Sequence, residues 1–76
     1  MTLFDGKQGK EYRVAGIKGE GDVRRRLLDL GFVRGTVIRI LNVAPFKSTV
    51  LVGLRGYLLA VRRQTGTLIE IVDGAK

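Results

Sequence analysis

Apolar residues along this chain recur mostly at every second position, in short stretches broken by glycine, and only once at helical spacing. Tyr12, Val14 and then Ile17 alternate with Glu11, Arg13 and Ala15, the period of a half-buried strand that Gly19 and Gly21 end. Val37 to Val43 is rich in β-branched residues, with Ile38 and Ile40 on one face and Val37, Arg39 and Leu41 on the other. Pro45 has no N–H to give a ladder, so Ala44 to Thr49 is predicted to be a loop, with Val50, Val52 and Leu54 resuming a strand. Arg55-Gly56 then marks a tight reversal into Tyr57, Leu59 and Val61. A turn or single helical turn over Arg62 to Thr67 leads to a last strand over Leu68 to Val72, where Ile69 and Ile71 flank Glu70; Asp73 to Lys76 reads as a polar tail.

The helical spacing falls between the first two strands. Val23, Leu27 and Leu30 lie on one helical face, Asp22 is the predicted N-cap, and Gly31 stands where a left-handed residue ends a helix. Arg25 and Asp29 are spaced to pair across one turn. Met1 to Lys10, with Leu3 and Phe4 among Asp5, Gly6 and Gly9, reads as an arm or turn before the first strand. Five short strands and one early helix cannot stay flat without leaving open edges and a half-exposed core. The predicted class is therefore mainly β, a small barrel, with residues 1–76 as one domain.

Composition narrows what such a domain can do. At 76 residues a chain buries only about 60% of its unfolded surface, so a deep catalytic pocket is hard to build. The chain has no cysteine and no histidine, which removes thiolate and imidazole chemistry and the commonest zinc and iron sites. The carboxylates Asp5, Glu11, Glu20, Asp22, Asp29, Glu70 and Asp73 have no nucleophile or base to work with, and Glu20 and Asp22 read as turn and cap residues. The expectation is no enzyme, no cofactor and no metal site. No apolar run approaches the ~18 residues that span a bilayer, and no signal sequence is evident, so a cytoplasmic protein without membrane insertion is expected.

The glycines fit no phosphate-binding loop: Gly16, Gly19 and Gly21 lack both the Walker and the dinucleotide spacing. They read as turn glycines, as do Gly31, Gly35, Gly53, Gly56 and Gly66. Charge says more. Fourteen Lys and Arg against seven Asp and Glu give a formal net charge of +7, which suits an anionic partner. Arg24, Arg25 and Arg26 sit near the helix N-terminus, where the macrodipole disfavours them, and Arg62-Arg63 form a second cluster that a barrel could bring near the first. Leu28, about 100° round the helix from Leu27, stands at the edge of the apolar face beside these arginines.

The run from Arg26 to Ile40, the Ala44-Pro45 that follows it, and Gly56 to Arg62 together resemble the bacterial ferrous iron transport protein A (FeoA) family, over about Leu3 to Val72. Phe46 to Thr49 and Arg63 to Gly66 depart from the family's usual loop and final turn. The resemblance implies an SH3-like small β-barrel of about five strands. It further implies an accessory, regulatory role in ferrous iron uptake, with the cytoplasmic part of the system's membrane GTPase-permease (FeoB-type) as partner. A similar barrel forms the C-terminal domain of iron-dependent repressors, and neither relation implies that this chain binds iron. The expected contact residues are Arg24, Arg25 and Leu28 on one surface and Pro45 and Phe46 on a second. The alternative is a basic nucleic-acid-binding barrel, and self-association through an uncovered strand edge is a third possibility.

Overall fold

The computed structural model describes residues 1–74; Ala75 and Lys76, the end of the predicted tail, lie outside the described residues. Strands β1 (Glu11–Ile17), β2 (Val37–Val43), β3 (Thr49–Leu54), β4 (Tyr57–Arg62) and β5 (Ile69–Asp73) form one antiparallel sheet in the order β4-β3-β2-β1-β5. Helix α1 (Gly21–Leu30) follows β1, and a single helical turn, α2 (Arg63–Gly66), joins β4 to β5. These are the strands and helix the alternation predicts, with boundaries shifted by a residue or two.

The sheet closes on its own core. Register shifts between Val14 and Gly16 and between Ile40 and Asn42 insert an extra residue in β1 and in β2, the device by which a strand bends. Tyr12 and Val14, Ile38 and Ile40, Val50, Val52 and Leu54, Val61, and Ile69 and Ile71 then share one buried cluster with Leu27 and Phe32. The β3–β4 turn takes two residues, Arg55 and Gly56, with φ of 48° and 86°. Both central residues left-handed is the turn whose twist matches a hairpin, and glycine bears its position without strain.

Three expectations about local structure are corrected. Glu20, not Asp22, stands at the N-cap of α1 and its side chain makes no capping bond, so Asp22 falls in the first turn, where its charge faces the positive end of the helix. Val23 is 48% exposed, leaving Leu27 as the buried residue of α1 with Leu30 packed at the margin. Among the described residues no ion pair joins Arg25 to Asp29.

The first ten residues are more than an arm. Leu3 and Phe4 are buried, in a 3-10 turn that the Thr2 N–H closes on Asp5 Oδ2 at 2.8 Å. The Ile71 N–H donates to the Met1 carbonyl at 2.8 Å, and Thr2 bridges Glu70, so the N-terminus covers the outer edge of β5. Phe4 is seated against Gly66 of α2, where an added Cβ would stand 2.2 Å from the ring. Gly66 is therefore a close-packing glycine and not the turn glycine expected. Gly53 also lies within a strand, paired to Arg39 and Leu58.

Gly66→Ala is expected to cost about 2 kcal/mol by forcing Phe4 out of place. Phe4→Leu in the same chain should recover part of that loss, with a coupling of about 1 kcal/mol in a double-mutant cycle read by urea unfolding. Acid should act through the N-terminal turn as well. The Thr2 backbone N–H holds the Asp5 carboxyl below its ordinary value, and the Lys18 ammonium, at 2.9 Å, does the same for Glu70. Both acids release their protons more readily when folded. Their contribution is full above the usual carboxylate range and is lost as pH falls through the lowered native values. Urea midpoints measured down the acid limb should fall less steeply for Asp5→Asn than for the parent chain.

Candidate docking surface

Helix α1 ends in a way that fixes its neighbours. Gly31 adopts φ of 115°, its N–H donates to the Leu28 carbonyl at 3.0 Å, and the Phe32 N–H reaches the Leu27 carbonyl at 3.1 Å. This pair of bonds is a Schellman motif; it turns the chain sharply and drops Phe32 into the core. The Leu30 carbonyl would otherwise be left over at the helix end, and the Tyr57 hydroxyl of β4 donates to it. One phenol thus ties the start of β4 to the end of α1.

A groove of about 190 Å³ lies between these two elements. Leu27, Leu30, Phe32, Leu59 and Val61 give it an apolar floor, Arg26 stands on the helix side, and Arg62 on the strand side. The two arginine clusters predicted to meet do so here, through one residue of each. A shallower depression lies on the outer face of the sheet, where Gly53 leaves room between Leu41 and Leu58 and Arg39 and Arg55 stand nearby.

Charge is unevenly paired. Lys10 binds Asp73 at 3.0 Å, Lys18 binds Glu70, and Arg39 binds Glu11 at 2.9 Å. The Asp73 carboxylate, by hydrogen bonding, holds the Lys10 ammonium above its usual range. These acids belong to β1 and β5. Among the described residues Arg24, Arg25, Arg26, Arg55, Arg62 and Arg63 have no carboxylate partner. Unpaired arginine thus flanks the groove from α1 and β4, with Asp22 and Asp29 on the same helix and Arg13 and Arg34 elsewhere also outside any ion pair among the described residues.

The residues expected from sequence are placed as follows. Arg24 and Arg25 are exposed on α1, Leu28 is half-buried, and all three stand outside the lining of the groove. Pro45 and Phe46 lie in a 3-10 turn between β2 and β3, with Phe46 94% exposed and a left-handed backbone at Phe46 and Lys47, φ 62° and 54°. A bare aromatic on a backbone that non-glycine residues adopt rarely is an unusual loop tip. Sequence reasoning missed Leu59 and Leu30 as groove residues. Their apolar periodicity was visible, but which strand would lie beside the helix was not.

A five-stranded antiparallel sheet curled over one core, with a helix after its first strand, defines a small SH3-like barrel. The same fold, at TM-score 0.81, occurs in a Stenotrophomonas maltophilia FeoA described as a prokaryotic SH3 domain protein, 24% identical over 93% of this chain and 88% of that one. The chain belongs to the FeoA domain family, whose profile matches residues 1–73. It is 37% identical to the FeoA protein of Chlorobium tepidum, with a TM-score of 0.87 over 99% of this chain and 71% of that one. It is also 30% identical over 71 residues to an Fe(2+) transport protein A/Fe(2+) transporter FeoB fusion protein of Porphyromonas gingivalis, covering 93% of this chain and 8% of the fusion. No helix among the described residues is long and apolar enough to cross a membrane.

Tyr57→Phe removes the phenol that joins β4 to α1 and leaves the Leu30 carbonyl to water. The expected loss is about 1 kcal/mol in urea unfolding, with faster amide exchange in the last turn of α1.

Proposed function

We propose that this chain is a non-catalytic, cytoplasmic accessory of ferrous iron uptake that acts by docking on the cytoplasmic part of an FeoB-type membrane GTPase-permease. The observation that carries this reading is the P. gingivalis relative, in which a segment like this chain is joined covalently to an Fe(2+) transporter FeoB. Fusion raises the effective concentration of two parts that otherwise meet by diffusion, which is useful when the parts work in contact. Family membership and the surplus of unpaired arginine on α1 and β4 support the same reading. Contact residues on this reading are Arg24, Arg25 and Leu28 on α1, with Pro45 and Phe46 at the loop tip as a second point. All but the half-buried Leu28 are exposed.

Calorimetric titration of the chain with the soluble cytoplasmic domain of such a permease tests it. Saturable binding in the low micromolar range is expected, weakened by Arg24→Glu with Arg25→Glu and by Phe46→Ala. No heat and no complex at that concentration in moderate salt would overturn the proposal. Tight binding of a single-stranded or duplex oligonucleotide, falling log-linearly with salt, would favour a nucleic-acid-binding barrel instead.

A further inference from the structure

The two ends of the sheet are treated differently. At β5 the outer edge is occupied by Met1 and Thr2, through the Ile71 to Met1 hydrogen bond and the Thr2–Glu70 bridge. At the other end, β4 pairs with β3 from Leu54↔Tyr57 to Thr49↔Arg62, and among the described residues no other backbone bond reaches Tyr57 to Val61. Uncovered edges in stable proteins are usually blunted by a bulge, a proline or an inward charge. β4 has a regular register, no proline, and Leu58 64% exposed beside an exposed Ala60.

Register shows which groups point outward. In a two-residue hairpin the residues flanking the turn exchange both backbone bonds, so Tyr57 faces β3, and Leu59 and Val61 follow at period two. The Arg63 N–H, two residues further, donates to the Ser48 carbonyl at 3.0 Å, which confirms the parity. The N–H and C=O groups of Leu58 and Ala60 therefore face away from the sheet. They stand beside the apolar groove whose floor includes Leu30 and Leu59.

We infer that the β4 edge takes up an extended acidic–apolar peptide segment of a protein partner as an added strand, its apolar side chains entering the α1–β4 groove. β4 spans about 20 Å, enough for six paired residues. Arg55 precedes the edge, Arg62 and Arg63 close it, and Arg26 overlooks it from α1, all without a carboxylate partner among the described residues. A second copy of the chain is the wrong occupant, because antiparallel β4–β4 pairing sets Arg55 of one copy beside Arg62 and Arg63 of the other. Carboxylates at the ends of the incoming strand satisfy the same arginines. This rests on the reading of the chain as a docking module and adds the β4 edge to its contact surface.

The test uses the intact 15N-labelled chain and two synthetic peptides, acetyl-Glu-Asp-Leu-Val-Ile-Val-Asp-Glu-amide and its counterpart with lysine at every acidic position. The acidic peptide should shift the amide signals of Leu58 to Arg62 and of Leu30 to Phe32 saturably, and protect the Leu58 and Ala60 amides from hydrogen exchange. Ala60→Pro deletes an outward donor and spares the β3 ladder, so it should abolish binding while the remaining spectrum is kept. Arg26→Glu with Arg62→Glu should weaken binding about tenfold, and it serves where the proline variant does not fold. Unmoved β4 amides, equal binding of the lysine peptide, shifts confined to the Phe46 loop, or concentration-dependent β4 shifts without peptide would each overturn the inference. Larger β4 shifts with a single-stranded oligonucleotide than with the peptide would do so too. A permease domain that binds without protecting the β4 amides sinks this inference alone, and peptide binding without permease binding sinks the proposed partner alone.

Discussion

A single sheet in so short a chain must bury its apolar face against itself, and the other features of the fold follow from that closure. Bulges in β1 and β2 supply the bend, and the ends of the sheet, β4 and β5, are left as strands with one open side each. The N-terminal turn serves β5, sending Leu3 and Phe4 into the core and its backbone along the strand edge. Helix α1 lies beside β4, tied by Tyr57 to the Leu30 carbonyl, and contributes one fully buried side chain, Leu27. One end of the sheet is thus sealed by hydrogen bonds, and the other is only flanked.

This asymmetry separates stability from recognition. The contacts that exclude water, Phe4 on Gly66 and the cluster around Phe32, Ile40 and Ile69, use no charged group. The ion pairs of β1 and β5 are exposed and consume Glu11, Glu70 and Asp73. Exposed pairs of this kind add little to stability. Their effect on the surface is to neutralise the β1 and β5 side, while the arginines around the α1–β4 groove stay unpaired. The arginine at each side of the groove, Arg26 and Arg62, forms no ion pair among the described residues and is available to a ligand.

Much of the fold was legible because alternation and turn chemistry are local. Tyr12 with Val14, Ile38 with Ile40, and Arg55-Gly56 needed only neighbouring residues to be read, and Gly31 announced the helix end. What escaped depended on distant partners. Gly66 looks like any turn glycine until Phe4 is set against it, and Leu3 and Phe4 look like an arm until β5 is known to need an edge partner. Asp22 is a better capping side chain than Glu20, yet the chain enters the helix two residues earlier, so propensity lost to the path of the backbone. Arg26 and Arg62 were visible as members of two clusters. That they face each other across a groove depends on strand order, which no local pattern encodes.

The seating of Phe4 on Gly66 also bears on how the chain is made. The phenyl ring is synthesised well before the glycine that receives it, with nearly the whole barrel between them. Until α2 and β5 emerge, Leu3 and Phe4 have no site and the β1 edge has no partner, so the barrel cannot close progressively from its beginning. Such long-range pairing delays closure of the barrel until α2 and β5 have been made. Through that interval the nascent chain carries its apolar residues unprotected, with its repelling arginines as the means of keeping neighbouring copies apart.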